Sequence, residues 1–260
     1  MSTRSNSANI LSTRIPLSGN VNLHTIPQNG LFFQLITESA IYKALDIDLA
    51  PYLKRTFDFL LSGFGLTLSS WLWVVIAILI LLEDGFPVII RQRRIGKHGR
   101  IFTSFKFRSM VKSTLMEMVN SQAAEYDQRV TRIGKWLRAS ALDELPQLLN
   151  ILFGDMSFVG PRPLLPNEIE LNGDLGKISV QEITGYEKRV SISPGLTGIA
   201  QIFAPRDIPR KHKFKYDLLY IRKMNLLLDI QLVILSFLIT FKGAWEKRCA
   251  KLEVLKSCNR

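Results

Sequence analysis

Two adjacent acids, Asp143 and Glu144, lie within a concentration of basic residues. Four cations precede the pair at intervals of three, and one arginine follows it between two prolines: Arg129, Arg132, Lys135, Arg138 and Arg162. Such an arrangement suits phosphate chemistry, because cations neutralise phosphate oxygens while a carboxylate holds a divalent ion such as Mg²⁺. The pattern therefore predicts a site for phosphate and a divalent metal.

The acids also stand at the start of a predicted short helix. With Asp143 as the N-cap, Pro146 lies in the first turn, where its missing N–H costs nothing, and Gly154 takes the left-handed position after the helix. A plainer interpretation stays open. In it Asp143 is only a cap, and Glu144 is only a first-turn carboxylate favoured by the helix dipole.

A β-hairpin is predicted for residues 88–92 and 101–108, with a turn bounded by Gly96 and Gly99. Period-two alternation places Lys106 and Arg108 on the same face of the second strand. Two cations on one face can bind one anion, although a solvated strand face is the simpler alternative.

An apolar segment without charged residues covers residues 59–82. As a helix it would be about 36 Å long, which is enough to cross a hydrocarbon core of about 30 Å. Basic residues flank both of its ends, with Lys54 and Arg55 before it and Arg91 among those after it. Since a spanning helix keeps its excess of cations on the cytoplasmic side, we expect a bent helix that re-enters the same face, with its apex near residues 69–71, rather than a span.

Residues 129–163 resemble the signature of the bacterial sugar transferases, the monotopic phosphoglycosyl transferases. The similarity runs from about Lys54 to about Lys242, and its shorter motifs lie at residues 54–59, 106–110 and 194–198. Two positions depart from the family pattern: Ser109 stands for a threonine, and Trp71 stands where a proline usually breaks the membrane helix.

This resemblance implies a fold, a reaction and a set of roles. The fold is α/β, a small mixed helical catalytic domain with a β-hairpin, carried on an N-terminal re-entrant membrane helix and interfacial amphipathic helices. Asp143 is implied as the nucleophile and Glu144 as its catalytic partner and the Mg²⁺ ligand. Substrate-binding roles are expected for Lys106, Arg108, Arg138, Arg162, Pro163 and Gln201.

The implied reaction transfers a sugar 1-phosphate from a UDP-sugar to a polyprenyl phosphate through an aspartyl phosphosugar, releasing UMP at the start of surface glycan synthesis. Its implied setting is the cytoplasmic face of a bacterial inner membrane rich in anionic lipid. Two alternatives stay open. One is a transferase that uses Asp143 as a base or metal ligand in a ternary complex, and the other is a basic membrane-anchored binding module.

Composition is compatible with these expectations. The net charge of +12 favours a polyanion, and nucleic acid, anionic lipid and nucleotide-sugar phosphates all qualify by charge alone. No nucleic-acid partner is expected, except in the binding-module alternative, and a homo-oligomer stays open. Cys249 and Cys258 lack a metal-binding spacing, so neither a disulfide framework nor a zinc site is expected.

The division expected from the sequence has four parts. Residues 1–50 form a variable, partly disordered segment without a signal peptide, residues 51–86 the membrane helix, residues 87–245 the catalytic domain, and residues 246–260 a basic tail. Within the catalytic domain, residues 230–241 predict an interfacial helix bounded by Asp229 and Lys242. A buried core helix is the alternative there.

Overall fold

The structure, a computed structural model, describes residues 50–111, 128–171, 177–205 and 208–241. Its helices in these ranges are α1 (Ala50–Asp84), α2 (Arg132–Ala139), α3 (Gln147–Phe153), α4 (Tyr186–Val190), α5 (Ile199–Phe203), α6 (Arg210–Lys223) and α7 (Leu226–Phe241). Its strands are β1 (Ile89–Ile95), β2 (Ile101–Phe107), β3 (Ser157–Val159), β4 (Ile169–Leu171), β5 (Lys177–Ser179) and β6 (Gly195–Thr197). The strands pair as β1 with β2 and β4 with β5, both antiparallel, and as β3 with β6 in parallel. The predicted mixture of helices and strands is confirmed.

Helix α1 packs one side against the rest of the protein and exposes the other. Asp58, Ser62, Ile76 and Ile80 on the packed side are buried. The exposed side is apolar and includes Phe59, Leu60, Phe64, Leu68, Trp71, Val74, Val75, Ile78 and Leu82. Within the described ranges, α1 is the one helix whose length and hydropathy would let it cross a membrane, and only 11% of its most apolar window is buried. Such low burial is unlike the core helix of a soluble protein.

The helix continues without interruption through residues 69–71, where a bend is expected from the sequence. Hydroxyl groups donate to carbonyl oxygens of the preceding turn, from Thr67 to Gly63 at 3.0 Å and from Ser70 to Thr67 at 2.9 Å. The hydroxyl of Ser69 instead accepts a hydrogen bond from the Trp73 indole at 3.2 Å. Re-entry into one face of the membrane therefore stays a prediction.

The beginning of α1 is tied to the domain by three charged side chains. Lys54 Nζ lies 2.5 Å from Asp229 Oδ2 of α7 and also donates to the carbonyl of Val159. The Arg55 guanidinium donates to the last carbonyls of α3, and Asp58 accepts the backbone N–H of Phe158 at 2.9 Å. These motif residues thus join α1 to α3, β3 and α7.

The end of α1 is tied to the same domain. Glu83 accepts the backbone N–H groups of Arg132 and Ile133, the first residues of α2. Arg108, which is 2% exposed, donates to the carbonyl of Gly85 at 2.6 Å and lies 3.4 Å from an Asp84 carboxylate oxygen. Both ends of α1 therefore contact one folded unit.

The predicted hairpin is confirmed, and the two cations at its end have different partners. Strands β1 and β2 pair from Ile89 opposite Phe107 to Ile95 opposite Ile101, and the turn contains His98 in the left-handed region at φ 55°. The backbone N–H of Arg108 donates to the Val88 carbonyl oxygen at 2.8 Å, so hairpin bonding continues one residue beyond β2. The Lys106 side chain contacts Glu144, whereas the Arg108 side chain contacts the end of α1. That the two cations bind one anion stays a prediction.

The run that begins at Pro194 forms a tight contact between backbones. A side chain on Gly195 would place its Cβ 2.0 Å from the nitrogen of Gly160, and one on Gly198 would place it 2.5 Å from the Gly160 carbonyl oxygen. Glycine alone permits this approach of β6 to the end of β3.

The C-terminal helix begins earlier than the sequence suggests. Its first residue is Leu226, and Asn225 accepts the backbone N–H of Leu228 at 2.8 Å, as an N-cap does. Asp229 is therefore buried inside the helix instead of marking its boundary, and Lys54 compensates its charge. One side of α7 belongs to the core through Leu228, Leu232 and Val233, while Ile234, Phe237 and Leu238 are exposed.

Three hydrophobic clusters hold these elements together. The largest joins α3, β3, α5, α6 and α7, and side chains of α1 pack against it. A second cluster contains Phe107 and Leu137 with Ile76 and Ile80 of α1, and Trp73 stacks edge-on against Phe107 at 5.3 Å. A third surrounds Phe214. The predictions for the N-terminal segment and for the basic tail lie outside the described residues.

Candidate active site

The two acids lie in a tight turn just before α3. Residues Leu142–Glu144 form a 3-10 turn that follows Ala141, whose φ of 56° is left-handed. Regular α-helical bonding begins only at Gln147, after Pro146. The predicted role of Asp143 as the N-cap of this helix is therefore wrong, since the acids occupy a separate turn. The predicted stop is confirmed, because Gly154 follows α3 at φ 94°.

Glu144 accepts two cations on one carboxylate oxygen. Its Oε1 lies 2.6 Å from Lys106 Nζ of β2 and 2.9 Å from Arg162 Nη2, which follows β3. The Glu144 and Lys106 side chains are mostly buried, and Arg162 is more open. Solvent screens the attraction between these charges less than it screens a surface pair. Three separate parts of the chain are thereby joined at one carboxylate.

The two acids have opposite pKa shifts. Burial raises the pKa of Asp143 to about 6; the Glu144 charge adds to this, while Lys106, Arg138 and Arg162 oppose it. Burial acts in the same direction on Glu144, but Lys106 and Arg162 outweigh it and hold the pKa of Glu144 well below its usual range. Glu144 thus stays ionised, whereas Asp143 is the more basic carboxylate of the two.

The predicted cations reach the acids from different elements. Arg138, in the last turn of α2, acts on Asp143 through its charge and donates to the Ser109 hydroxyl at 2.9 Å. Gly134 permits this packing of α2, because a Cβ there would lie 2.0 Å from the Ser109 carbonyl oxygen. Arg138 and Arg162 thus lie near the acids, and Lys106 joins them from β2, a neighbour that the sequence does not predict. Their roles toward a substrate stay predictions.

Buried arginines that the sequence analysis does not select support this site. Arg189 pairs with Asp217 at 2.8 Å and donates to the Arg162 carbonyl oxygen. Arg94 donates to the Pro163 carbonyl oxygen at 3.1 Å. The backbone at residues 162 and 163 is therefore held by two guanidinium groups. Strand alternation carries a weak signal for Arg94, whereas Arg189 has no local signal, because its partner comes from α6.

Three predicted binding residues do not contact the acids. Arg108 contacts the end of α1, and Gln201 of α5 donates to the Gly160 carbonyl oxygen at 3.3 Å. Pro163 contributes its backbone to Arg94. Their proposed roles toward a substrate stay predictions.

The acids suit a metal ion that is shared with a phosphorylated ligand. Within the described ranges, no group of three or more His, Cys, Asp or Glu side chains is placed to hold a metal by itself. Mg²⁺ commonly takes one or two carboxylates and completes its shell with phosphate oxygens and water. Asp143 and Glu144 provide a donor set of that kind, so the residues present fit the ion.

Residues 49–243 match the family described as bacterial sugar transferase. The chain belongs to this family. A transferase fits the site, since adjacent carboxylates with unequal basicity lie among cations that can bind a pyrophosphate.

Relatives within the family carry more specific names. The chain is 42% identical over 201 residues to a UDP-glucose:undecaprenyl-phosphate glucose-1-phosphate transferase of Klebsiella pneumoniae, covering 75% of this chain and 40% of that protein. It is 36% identical over 221 residues to a UDP-N-acetylgalactosamine-undecaprenyl-phosphate N-acetylgalactosaminephosphotransferase of Aeromonas hydrophila, covering 84% and 48%. It is 35% identical over 194 residues to an exopolysaccharide production protein of Sinorhizobium fredii, covering 69% and 81%. The chain spans less than half the length of the first two proteins.

The opposite pKa shifts can be tested in the metal-free protein. The carboxyl group of Asp143 should titrate near pH 6, so that it is protonated below that pH and ionised above it. Glu144→Gln should lower this pKa, because it removes a negative neighbour and frees Lys106 and Arg162 to face Asp143. The measurement is the pH dependence of the ¹³C chemical shift of the Asp143 carboxyl group.

Lys106→Met is the matched control, because it removes a positive neighbour of Asp143 instead of a negative one. It should raise the pKa of Asp143. Shifts in the same direction for both variants would show that charge does not control this carboxyl group.

Proposed function

We propose that this chain transfers a sugar 1-phosphate from a UDP-sugar to undecaprenyl phosphate in the membrane, as the initiating step of surface polysaccharide or glycoconjugate synthesis. The names of the relatives and the family support this reaction. The observation that carries the proposal is the unequal pair of acids, with Glu144 bound by Lys106 and Arg162 and Asp143 more basic beside it.

Asp143 is the nucleophile in this proposal. A carboxylate with a pKa near 6 is largely ionised at neutral pH and is more basic than Glu144. One of its oxygens attacks the sugar-bearing phosphorus, a bond forms between them, and the bond to the bridging oxygen breaks as UMP leaves. The product on the protein is an aspartyl phosphosugar.

The second step transfers the group to the lipid. An oxygen of undecaprenyl phosphate attacks the same phosphorus, the bond to Asp143 breaks, and the carboxylate is regenerated. The lipid product is an undecaprenyl diphosphosugar. Lys106, Arg138 and Arg162 surround the acids with positive charge that reduces the repulsion between an anionic nucleophile and a pyrophosphate.

Glu144 would hold Mg²⁺ against the pyrophosphate. The ion would neutralise charge on the pyrophosphate oxygens and on departing UMP. The Glu144 carboxylate is suited to this task because its low pKa keeps it ionised throughout the neutral range. The sugar itself stays open, since the relatives' names include glucose and N-acetylgalactosamine.

The proposed location is the cytoplasmic face of the bacterial inner membrane, with both ends of α1 on that face. Lys54 and Arg55 at one end and Glu83 at the other all contact the same folded unit. A helix that crossed the bilayer would separate these contacts by about 30 Å of hydrocarbon. The exposed apolar sides of α1 and α7 provide the surface that lipid would cover.

Asp143→Asn should abolish transfer while leaving the fold intact. The amide is nearly isosteric and Asp143 caps no helix, whereas loss of a nucleophile costs several orders of magnitude in rate. Purified protein mixed with a panel of UDP-sugars, without the lipid acceptor, should release one equivalent of UMP, and the variant should release none. Residual turnover above about 10% would rule out Asp143 as the nucleophile. UMP release that strictly requires the lipid would instead favour the ternary-complex mechanism.

Glu144→Gln should weaken the apparent affinity for Mg²⁺ and reduce the rate, because a hard cation prefers a carboxylate to an amide. The measurement is the transfer rate across a Mg²⁺ titration at saturating UDP-sugar. Unchanged titration together with an unchanged rate would make Glu144 a structural residue only.

Membrane topology can be measured by cysteine labelling after Cys249 and Cys258 are replaced by serine. Single cysteines at Ser18 and at the exposed turn residue Lys97 should both resist an impermeant thiol reagent in intact cells and react after lysis. Labelling of only one position in intact cells would show that α1 spans the bilayer. Labelling of both would place the domain on the outer face.

A further inference from the structure

Asn150 is a fully buried amide between α3 and the catalytic hairpin. Its relative exposure is 0%. The side-chain oxygen accepts the backbone N–H of Phe105 at 3.0 Å, and the side-chain nitrogen donates to the carbonyl oxygen of Thr103 at 2.7 Å. Both halves of the amide are therefore bound to the backbone of β2.

These two backbone groups are the ones that a third strand would use. In a parallel ladder, one residue donates to the residue before its partner and accepts from the residue after it. Asn150 makes that pattern around Ser104, whose other neighbour is Gln92 of β1. The Asn150 side chain thus takes the place of a strand on the open edge of β2.

This contact lies directly beside the catalytic ion pair. Phe105 precedes Lys106, and Asn150 belongs to the helix that follows the turn carrying Asp143 and Glu144. An ion pair made by a long flexible lysine does not by itself fix the separation of two elements, because the side chain loses entropy when it is held. The Asn150 amide, with its two hydrogen bonds in the core, holds the backbone of β2 to α3 directly.

We propose that Asn150 is the positioning residue for Lys106, holding β2 against α3 so that Lys106 faces the two acids. This inference rests on the proposed function in one respect, which is that Lys106 takes part in the transfer reaction. Asparagine alone suits this position: aspartate can accept but not donate, leucine can do neither, and glutamine carries its amide one methylene farther.

Variants at position 150 should keep α3 folded, because the backbone bonds at the end of this helix do not involve the side chain. The Asn150 carbonyl oxygen accepts the N–H groups of Gly154 and Met156, at 3.1 Å and 3.2 Å. Replacing the side chain should therefore release β2 while the helix end stays formed.

The test is a double-mutant cycle on kcat/KM for UMP formation. Asn150→Ala should reduce kcat/KM about tenfold, corresponding to the loss of two hydrogen bonds. In a Lys106→Met background the same change should add less than about twofold, because the residue through which it acts is already gone. Multiplicative losses would overturn the proposal. If Asn150→Ala does not fold, Asn150→Ser is measured in the same cycle.

Two control variants separate positioning from general destabilisation. Asp155→Ala removes a partly buried third contact of the same amide, at 3.3 Å, and should keep kcat/KM within about twofold of the parent. Leu232→Ala leaves a cavity in the α7 core, and its loss should multiply with that of Lys106→Met, since the sites are independent. If the loss of kcat/KM from Asn150→Ala also multiplied with that of Lys106→Met, as the loss from Leu232→Ala should, the proposal would be wrong.

A second readout needs no activity. Hydrogen exchange of the Phe105 amide should accelerate at least about tenfold in Asn150→Ala, while the Ile95 amide, bonded to Leu164, keeps its rate. Unchanged exchange at Phe105 would overturn the proposal even if activity fell. If Asp143→Asn kept its transfer activity, Asp143 would not be the nucleophile. The double-mutant cycle and the hydrogen exchange of Phe105 would still test the role of Asn150.

Discussion

The contact of Glu144 with Lys106 and Arg162 is the interaction on which the site depends. A partly buried carboxylate needs compensation, and here the compensation comes from a hairpin and from the loop after β3. Each partner is held in turn: the hairpin by α3, and the loop by Arg94 and Arg189. The arrangement of strands and helices around the turn can be understood as the scaffold that brings these charges together.

The same contact makes two neighbouring acids chemically unequal. Glu144 receives most of the direct ion pairing, while Asp143 experiences burial and the charge of Glu144. Adjacent carboxylates in different surroundings acquire different pKa values, and this permits separate roles. In the proposed reaction, one acid remains a permanent anion that holds a cation, and the other is the nucleophile.

Sequence reasoning predicted the elements that depend on local patterns. The hairpin follows from alternation between glycines, the end of α3 from Gly154, and the apolar helix from its uncharged run. It failed at the 3-10 turn, because the left-handed Ala141 has no compositional signal. It did not identify the partners of Arg108 and Asp229, because the end of α1 and Lys54 meet these residues only in the tertiary fold.

The pairing of Lys54 with Asp229 has a consequence for biosynthesis. These residues are separated by 175 positions, so α1 emerges from the ribosome long before α7. During translation α1 can partition into lipid with its cation in the headgroup layer, while the core that contains α7 is incomplete. The high sequence separation of this contact makes closure of the fold a late event during synthesis. A nascent chain arrested before Leu226 should consequently be attached to the membrane without its core.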